Sequence, residues 1–248
     1  MEDIKAPFSA EFIKDVKQDL YLEYRDENNK THNVKGIPEI IKKGELIEFQ
    51  IRVEPLLEKQ SFPGVYINSW RLGIKEEEIK RFSELRIKNM DQMVLKALQK
   101  MEPRLDRLEI LSPVGTSMIY GYLKDYNEPV PLPLLGDGIR RVASLVLAIG
   151  AARGGVVLVD EIENGIHHSA MKSIWEVVAE AATTFNTQIF ATTHSQECIQ
   201  SAHEVFRSQE NYNFRLHRLD RDGDQIRAVT YDQESLEGAL SIPLEVRG

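Results

Sequence analysis

The chain has one cysteine, Cys198, in 248 residues, so no disulfide can form within it. That suits a reducing compartment, and a cytoplasmic location is expected. Excess positive charge is also lacking: 31 Lys and Arg stand against 39 Asp and Glu, a formal net charge of -8. A surface basic all over for nucleic acid is thereby excluded, although a local basic patch is not. Long apolar runs are missing too. The longest such region, Val142 to Asp160, is cut by Arg153, Gly154 and Gly155, and neither piece can span a bilayer. The opening MEDIKAPFSA is acidic and has no apolar signal core. Finally, no Gly-Lys dipeptide occurs anywhere. The phosphate-cradling pattern G-x-x-x-x-G-K-[ST] is therefore absent, and VGTSM at Val114 to Met118 has no lysine to replace it.

What is present is enough for a core. Hydrophobic residues make up 42% and charged residues 28%, which fits one large domain or two modest ones rather than a disordered chain. Ser9 to Glu23 reads first as helix and then as extended chain. Ile47, Phe49, Ile51 and Val53 form the apolar face of a strand, and Gly64 to Trp70 is a further strand candidate. The first 70 residues thus read as mostly antiparallel around one helix. EEEIKRFSELRIKN and DQMVLKALQKMEP read as helices, the first with acids at its start and the second ended by Pro103. RLDRLEILSP and SMIYGYLKD read as strands, and the three prolines of EPVPLPL predict an extended connection.

From Leu135 the pattern alternates. Gly138 to Ala152 is helical by the spacing of Ile139, Val142, Leu145, Val146 and Ile149. Val156 to Asp160 is a buried strand, Ser169 to Ala182 a helix, Thr187 to Thr192 a strand, and a helix starts at Ser195. Helices between short β-branched strands predict a parallel sheet with covered faces. NFRLHRLDRDGDQIRAVTYD predicts a hairpin turning at Asp222-Gly223. The expected fold is α/β, a parallel sheet with an antiparallel region. The expected division is residues 1–92, an antiparallel lobe with a helical connection, and residues 93–248, the core.

Three motifs carry chemistry. LLGDGIRR, Leu134 to Arg141, is a glycine-rich loop entering a helix, whose N–H groups and dipole suit a phosphate. Asp160 and Glu161 follow a buried strand directly. An Asp there can help hold magnesium, and the next Glu can act as general base on an attacking water. ATTHS, Ala191 to Ser195, ends the next strand at the same sheet edge, where α/β sites lie. Each has a plainer reading: a capped glycine turn, a surface turn, an exposed histidine. Arg140 and Arg141 could meet phosphate or DNA, or make a salt bridge on the helix surface.

LLGDG, VVLVDE and ATTHS, in that order, resemble the C-terminal part of ABC-type ATPases, in particular the AAA-labelled proteins akin to the OLD (overcoming lysogenisation defect) and SMC/recombination-repair ATPases. The likeness runs over roughly Met93 to Gly248. It implies a P-loop NTPase fold of the ABC-head kind, ATP and magnesium as cofactors, and ATP-driven dimerisation coupled to nucleic acid in repair or phage defence. Gly136, Asp137 and Gly138 match the signature motif, which in that family touches nucleotide held by the opposite subunit. Asp160 matches the Walker B aspartate, Glu161 the catalytic glutamate and His194 the switch histidine. Glu163, Asn164 and Gly165 match the D-loop at the dimer interface, and His167 a histidine that often follows it. The P-loop expected before all of these is missing, so the resemblance implies an incomplete head needing that loop from an earlier segment or a partner subunit.

Two motifs are set aside. Asp220, Asp222 and Asp224 mimic a calcium loop, but Gln225 and Tyr231 stand where glycine and glutamate are needed. Cys198 with His194 and His203 offers one sulfur, too few for a zinc site of the usual kind. A nuclease would need acidic clusters beyond the core, for which these 248 residues leave no room. A non-catalytic interaction or regulatory subunit that keeps the half-site is the rival reading. The two strands ending at Asp160 and Thr192 should run parallel, with Asp160, Glu161 and His194 converging. The second strand should lack a neighbour on one side. That gap would be filled by exchange in a homodimer, by Leu20 to Tyr24, or by a P-loop-bearing subunit.

Overall fold

The computed structural model describes residues 20–25, 31–43, 46–54, 62–68, 75–113, 115–222, 225–241 and 246. It divides into two compact units, residues 1–61 and 62–248. The helix expected from Ser9 lies outside the described residues.

In the first unit, β1 (Leu20–Arg25), β2 (Thr31–Lys43) and β3 (Leu46–Glu54) form an antiparallel sheet in that order. β1 pairs with β2 from Leu20 opposite Gly36 to Arg25 opposite Thr31. Leu20 to Tyr24, one expected filler of the gap beside Thr192, is here the β1 partner of β2. β-rich runs joined by short polar turns pair with their nearest neighbours, and here they do so.

The second unit is α/β. β4 (Gly64–Ile67), β8 (Val156–Val159) and β9 (Gln188–Ala191) make a parallel sheet, with β8 between the other two. Val65 lies beside Val157 and Val157 beside Ile189. The placement of β4 corrects the antiparallel expectation for the first 70 residues. The cause is a non-local pairing: the Val156 N–H donates to the Pro63 carbonyl at 2.9 Å and the Asp160 N–H to the Ile67 carbonyl at 2.8 Å. β5 (Leu105–Leu111), β6 (Met118–Leu123) and β7 (Val130–Pro131) form a separate antiparallel sheet. The proline run that follows closes into a 3-10 turn over Leu132–Leu135, since proline suits the start of a turn of helix.

Helix α1 (Lys75–Ile87) and α2 (Asp91–Gln99) pack on α3 (Asp137–Ala151). α3 is the centre of the unit, buried at every position from Arg141 to Gly150. Its apolar positions meet α4 (Met171–Phe185), which packs on α5 (Gln196–Arg207). Asn186 ends α4 in the left-handed conformation at φ 51°. The Thr187 hydroxyl then donates to the Ile149 and Ala152 carbonyls at 3.2 Å, tying the entry of β9 to the end of α3. β10 (Leu216–Asp222) and β11 (Gln225–Tyr231) pair as the expected hairpin, and α6 (Gln233–Ser241) follows. No described helix is long and apolar enough to cross a membrane.

Candidate functional site

β8 and β9 end side by side, and Asp160 and Glu161 meet Thr192 there. The Thr192 hydroxyl donates to Asp160 Oδ1 at 2.8 Å and accepts from the Glu161 N–H at 2.9 Å. One side chain at the end of β9 thus holds both the carboxylate and the backbone at the end of β8. The Ile162 N–H donates to the Thr192 carbonyl at 3.1 Å, so the turn stays against β9. Glu161 sits at φ 45°, a left-handed conformation uncommon outside glycine. Its carboxylate is half-buried and accepts from the Asn164 amide at 3.5 Å.

His194 joins through its backbone, whose N–H donates to Glu163 Oε1 at 2.9 Å. Its imidazole is exposed. The other oxygen of Glu163, Oε2, is buried without a hydrogen-bond partner. The Glu163 carboxylate is therefore used within the chain, bridging the turn after β8 to the turn after β9, whereas Asn164 and Gly165 are exposed. Gly165 takes φ 75°, which glycine adopts without strain. His167 caps a short 3-10 turn, its Nδ1 accepting the Ser169 N–H at 3.4 Å and lying 2.9 Å from the Ser169 hydroxyl. That is a structural use of the ring.

Gly136, Asp137 and Gly138 form the N-terminal end of α3. Gly136 is exposed at φ 114°, and Asp137 pairs with Arg140 at 3.1 Å. Arg140 thus makes the surface ion pair. Arg141 does something else. It is 1% exposed, and its Nη2 donates to the carbonyls of Asp160 at 3.2 Å and Glu161 at 3.0 Å. Burial lowers the guanidinium pKa, while Glu163, Asp160 and Glu161 raise it. From sequence, Arg141 is singled out for phosphate, DNA or a surface salt bridge, and not for this buried backbone role. The signal was its spacing: position 141 lies four before Leu145, on the apolar stripe of α3.

Cys198 is buried, its thiol pushed up to about 11 mainly by burial, so it is a poor nucleophile. Among the described residues no three His, Cys, Asp or Glu side chains gather as a metal cage.

A model of the family described as "AAA domain, putative AbiEii toxin, Type IV TA system" matches residues 10–199, more than half of the chain and all the residues of this site. The chain belongs to this AAA domain family. The AAA domain here is also 34% identical over 119 residues to an "ATP/GTP phosphatase" of Helicobacter pylori, an alignment covering 46% of this chain and 32% of that protein. The chain thus spans about a third of the length of that relative. It is 28% identical over 115 residues to the uncharacterized protein MJECL11 of Methanocaldococcus jannaschii, covering 46% of this chain and all of that one. Among solved structures, an SMC head domain from Thermotoga maritima overlays with a TM-score of 0.45 at 11% identity, covering 86% of this chain and 74% of the other. The α/β architecture is P-loop NTPase-like, as expected of an AAA domain.

Proposed function

We propose that this chain is the part of an ABC-like, OLD-related ATPase head that holds magnesium and activates water. It receives the phosphate-anchoring loop from another segment or subunit. The observation that carries the reading is the cluster at the ends of β8 and β9, where Thr192 ties the Asp160 carboxylate to the Glu161 backbone. Asp160 is the magnesium residue. A single carboxylate is enough, because magnesium keeps waters and takes phosphate oxygens as its other ligands. Glu161 is the general base, and His194 orders the water or senses the γ-phosphate. Gly136, Asp137 and Gly138 meet nucleotide held by a second subunit, and Asn164 and Gly165 run along that dimer contact.

The need for a partner rests on the sheet. A parallel sheet is normally covered on both faces. Here Tyr66, Leu158 and Phe190 stand in one row across β4, β8 and β9 and are 61%, 46% and 51% exposed. Among the described residues β9 has β8 on one side and no strand on the other. A strand and helix bearing the anchoring loop would cover both surfaces. A homodimer or a separate P-loop-bearing subunit in the cytoplasm is the proposed assembly, with nucleic acid as target of the complete machine.

The test is magnesium-dependent ATP binding and turnover by the purified chain. The expected result is weak binding and negligible turnover, because most of the electrostatic stabilisation of the transferring group is supplied elsewhere. Robust turnover abolished by Glu161→Gln would show the chain to be complete in itself. Failure to bind ATP even when a P-loop-bearing segment is added would leave the non-catalytic reading.

A further inference from the structure

We propose that Arg141 is a positioning residue that sets the backbone of the Asp160–Glu161 turn and so aims both carboxylates. The functional consequence rests on the reading of Asp160 as the ion-holding residue. The backbone claim stands on geometry alone.

The turn is held from two sides. From β9, Thr192 takes the Glu161 N–H and reaches the Asp160 carboxylate. From α3, Arg141 takes the two carbonyls, at 3.2 and 3.0 Å. Between these grips Glu161 adopts φ 45°. For a residue with a Cβ that conformation is disfavoured against the right-handed one, so something must hold it. Two adjacent carbonyls turned to the same donor supply the restraint. A free chain would instead extend, swinging Glu161 away from the end of the sheet.

The chemistry of the donor fits this role better than a role in charge balance alone. Glu163, Asp160 and Glu161 all act on Arg141 electrostatically, yet its hydrogen bonds go to main-chain carbonyls. Its Nε and the Oε2 of Glu163 are both buried and unbonded. The guanidinium is directed at the main chain. Lysine could keep the positive charge but lacks the planar fork that fixes two acceptors together. Burial on α3 also leaves Arg141 little freedom: Val142 and Leu145 beside it are fully buried.

The experiment compares the full chain with Arg141→Lys, Arg141→Met and Asp160→Asn. Two quantities are read: manganese affinity from the loss of free-ion electron paramagnetic resonance, and the Glu161 backbone carbon shifts and HN–Hα coupling by NMR. Thermal unfolding is measured alongside. Arg141→Met is expected to lose the left-handed signature at Glu161 and to weaken manganese binding by about tenfold or more, the scale seen when a supporting residue behind a metal ligand is removed. Arg141→Lys, which keeps charge and stem, is expected to fold and to fall between wild type and Arg141→Met. It remains informative if Arg141→Met does not fold. A wild-type signature at Glu161 in either variant overturns the positioning role. Equal manganese affinity in wild type and Asp160→Asn would instead overturn the ion-holding reading, while the Glu161 signature still decides the case of Arg141.

Discussion

Replacing Gly155 by alanine should damage the sheet that carries the site. Gly154 and Gly155 are both glycine for different reasons. Gly154 takes φ 71° with nothing near a Cβ, so its need is conformational. Gly155 has an ordinary backbone, but a Cβ there would lie 1.9 Å from the Pro63 carbonyl oxygen. Real Cβ contacts stay above 3.0 Å, so β4 and β8 must part by about 1 Å at that point. The Val156 N–H to Pro63 bond, now 2.9 Å, would stretch beyond hydrogen-bonding range. A half-buried donor left unpaired costs about 1–3 kcal/mol. Backbone shift in a packed core adds about 1–3 kcal/mol. The sum, roughly 2–6 kcal/mol, is a large part of the ~5–15 kcal/mol of a typical domain. Urea unfolding followed by circular dichroism measures it, with Gly154→Asn as comparison. Asparagine tolerates the left-handed region, so that variant should lose less than about 1 kcal/mol. A Gly155→Ala midpoint within about 0.5 kcal/mol of wild type, or the same loss in both variants, would refute the close-approach argument.

Burial raises the Glu78 pKa above its ordinary 4.5, outweighing the lowering by nearby Ser144, Arg81 and Arg140. Its contribution is therefore full below that value and lost as pH rises through the raised one. Glu78→Gln should be more stable than wild type near neutrality, with the difference closing below about pH 4.5 in pH-dependent unfolding. Phe190→Ser should cost under about 1 kcal/mol, because the ring is already half exposed, yet it should reduce concentration-dependent self-association in light scattering. Unchanged association would place the contact elsewhere.

Local pattern carried much of this architecture. The run Val156 to Asp160 is apolar, β-branched and ended by a carboxylate, and its parallel partner was readable because a helix-length segment lies between them. α3 and α5 were readable from spacing. The pairing of β4 with β8 was not, since four residues, GVYI, hold no register signal for a partner 92 positions away. α6 was missed although Asp232 and Ser235 announce it: the Asp232 carboxylate accepts the Ser235 N–H at 3.0 Å, and the Ser235 hydroxyl accepts the Asp232 N–H at 2.9 Å. Within the site, Asp160 and Glu161 were legible by their place after a strand. The burial of Arg141 depends on carbonyls 19 and 20 residues away, and a charged residue on a helix ordinarily reads as surface. Leu158 and Phe190 fail in the opposite sense. Their pattern is that of core residues, and only the arrangement of the sheet leaves them uncovered.

The edge of β9 that no described strand pairs also sets how fast individual amides trade hydrogen for deuterium. The N–H groups of Gln188 and Thr192 donate to the Gly155 and Val159 carbonyls of β8. By the two-residue period of a strand, that of Phe190 points the same way, while those of Ile189 and Ala191 point outward. Neighbouring amides on one strand therefore differ in the event that releases them. Phe190 must wait for the sheet to open, whereas Ile189 and Ala191 need only meet solvent. Filling the edge with another strand would slow those two and leave Phe190 as it was, so the strand itself records whether its neighbour has arrived.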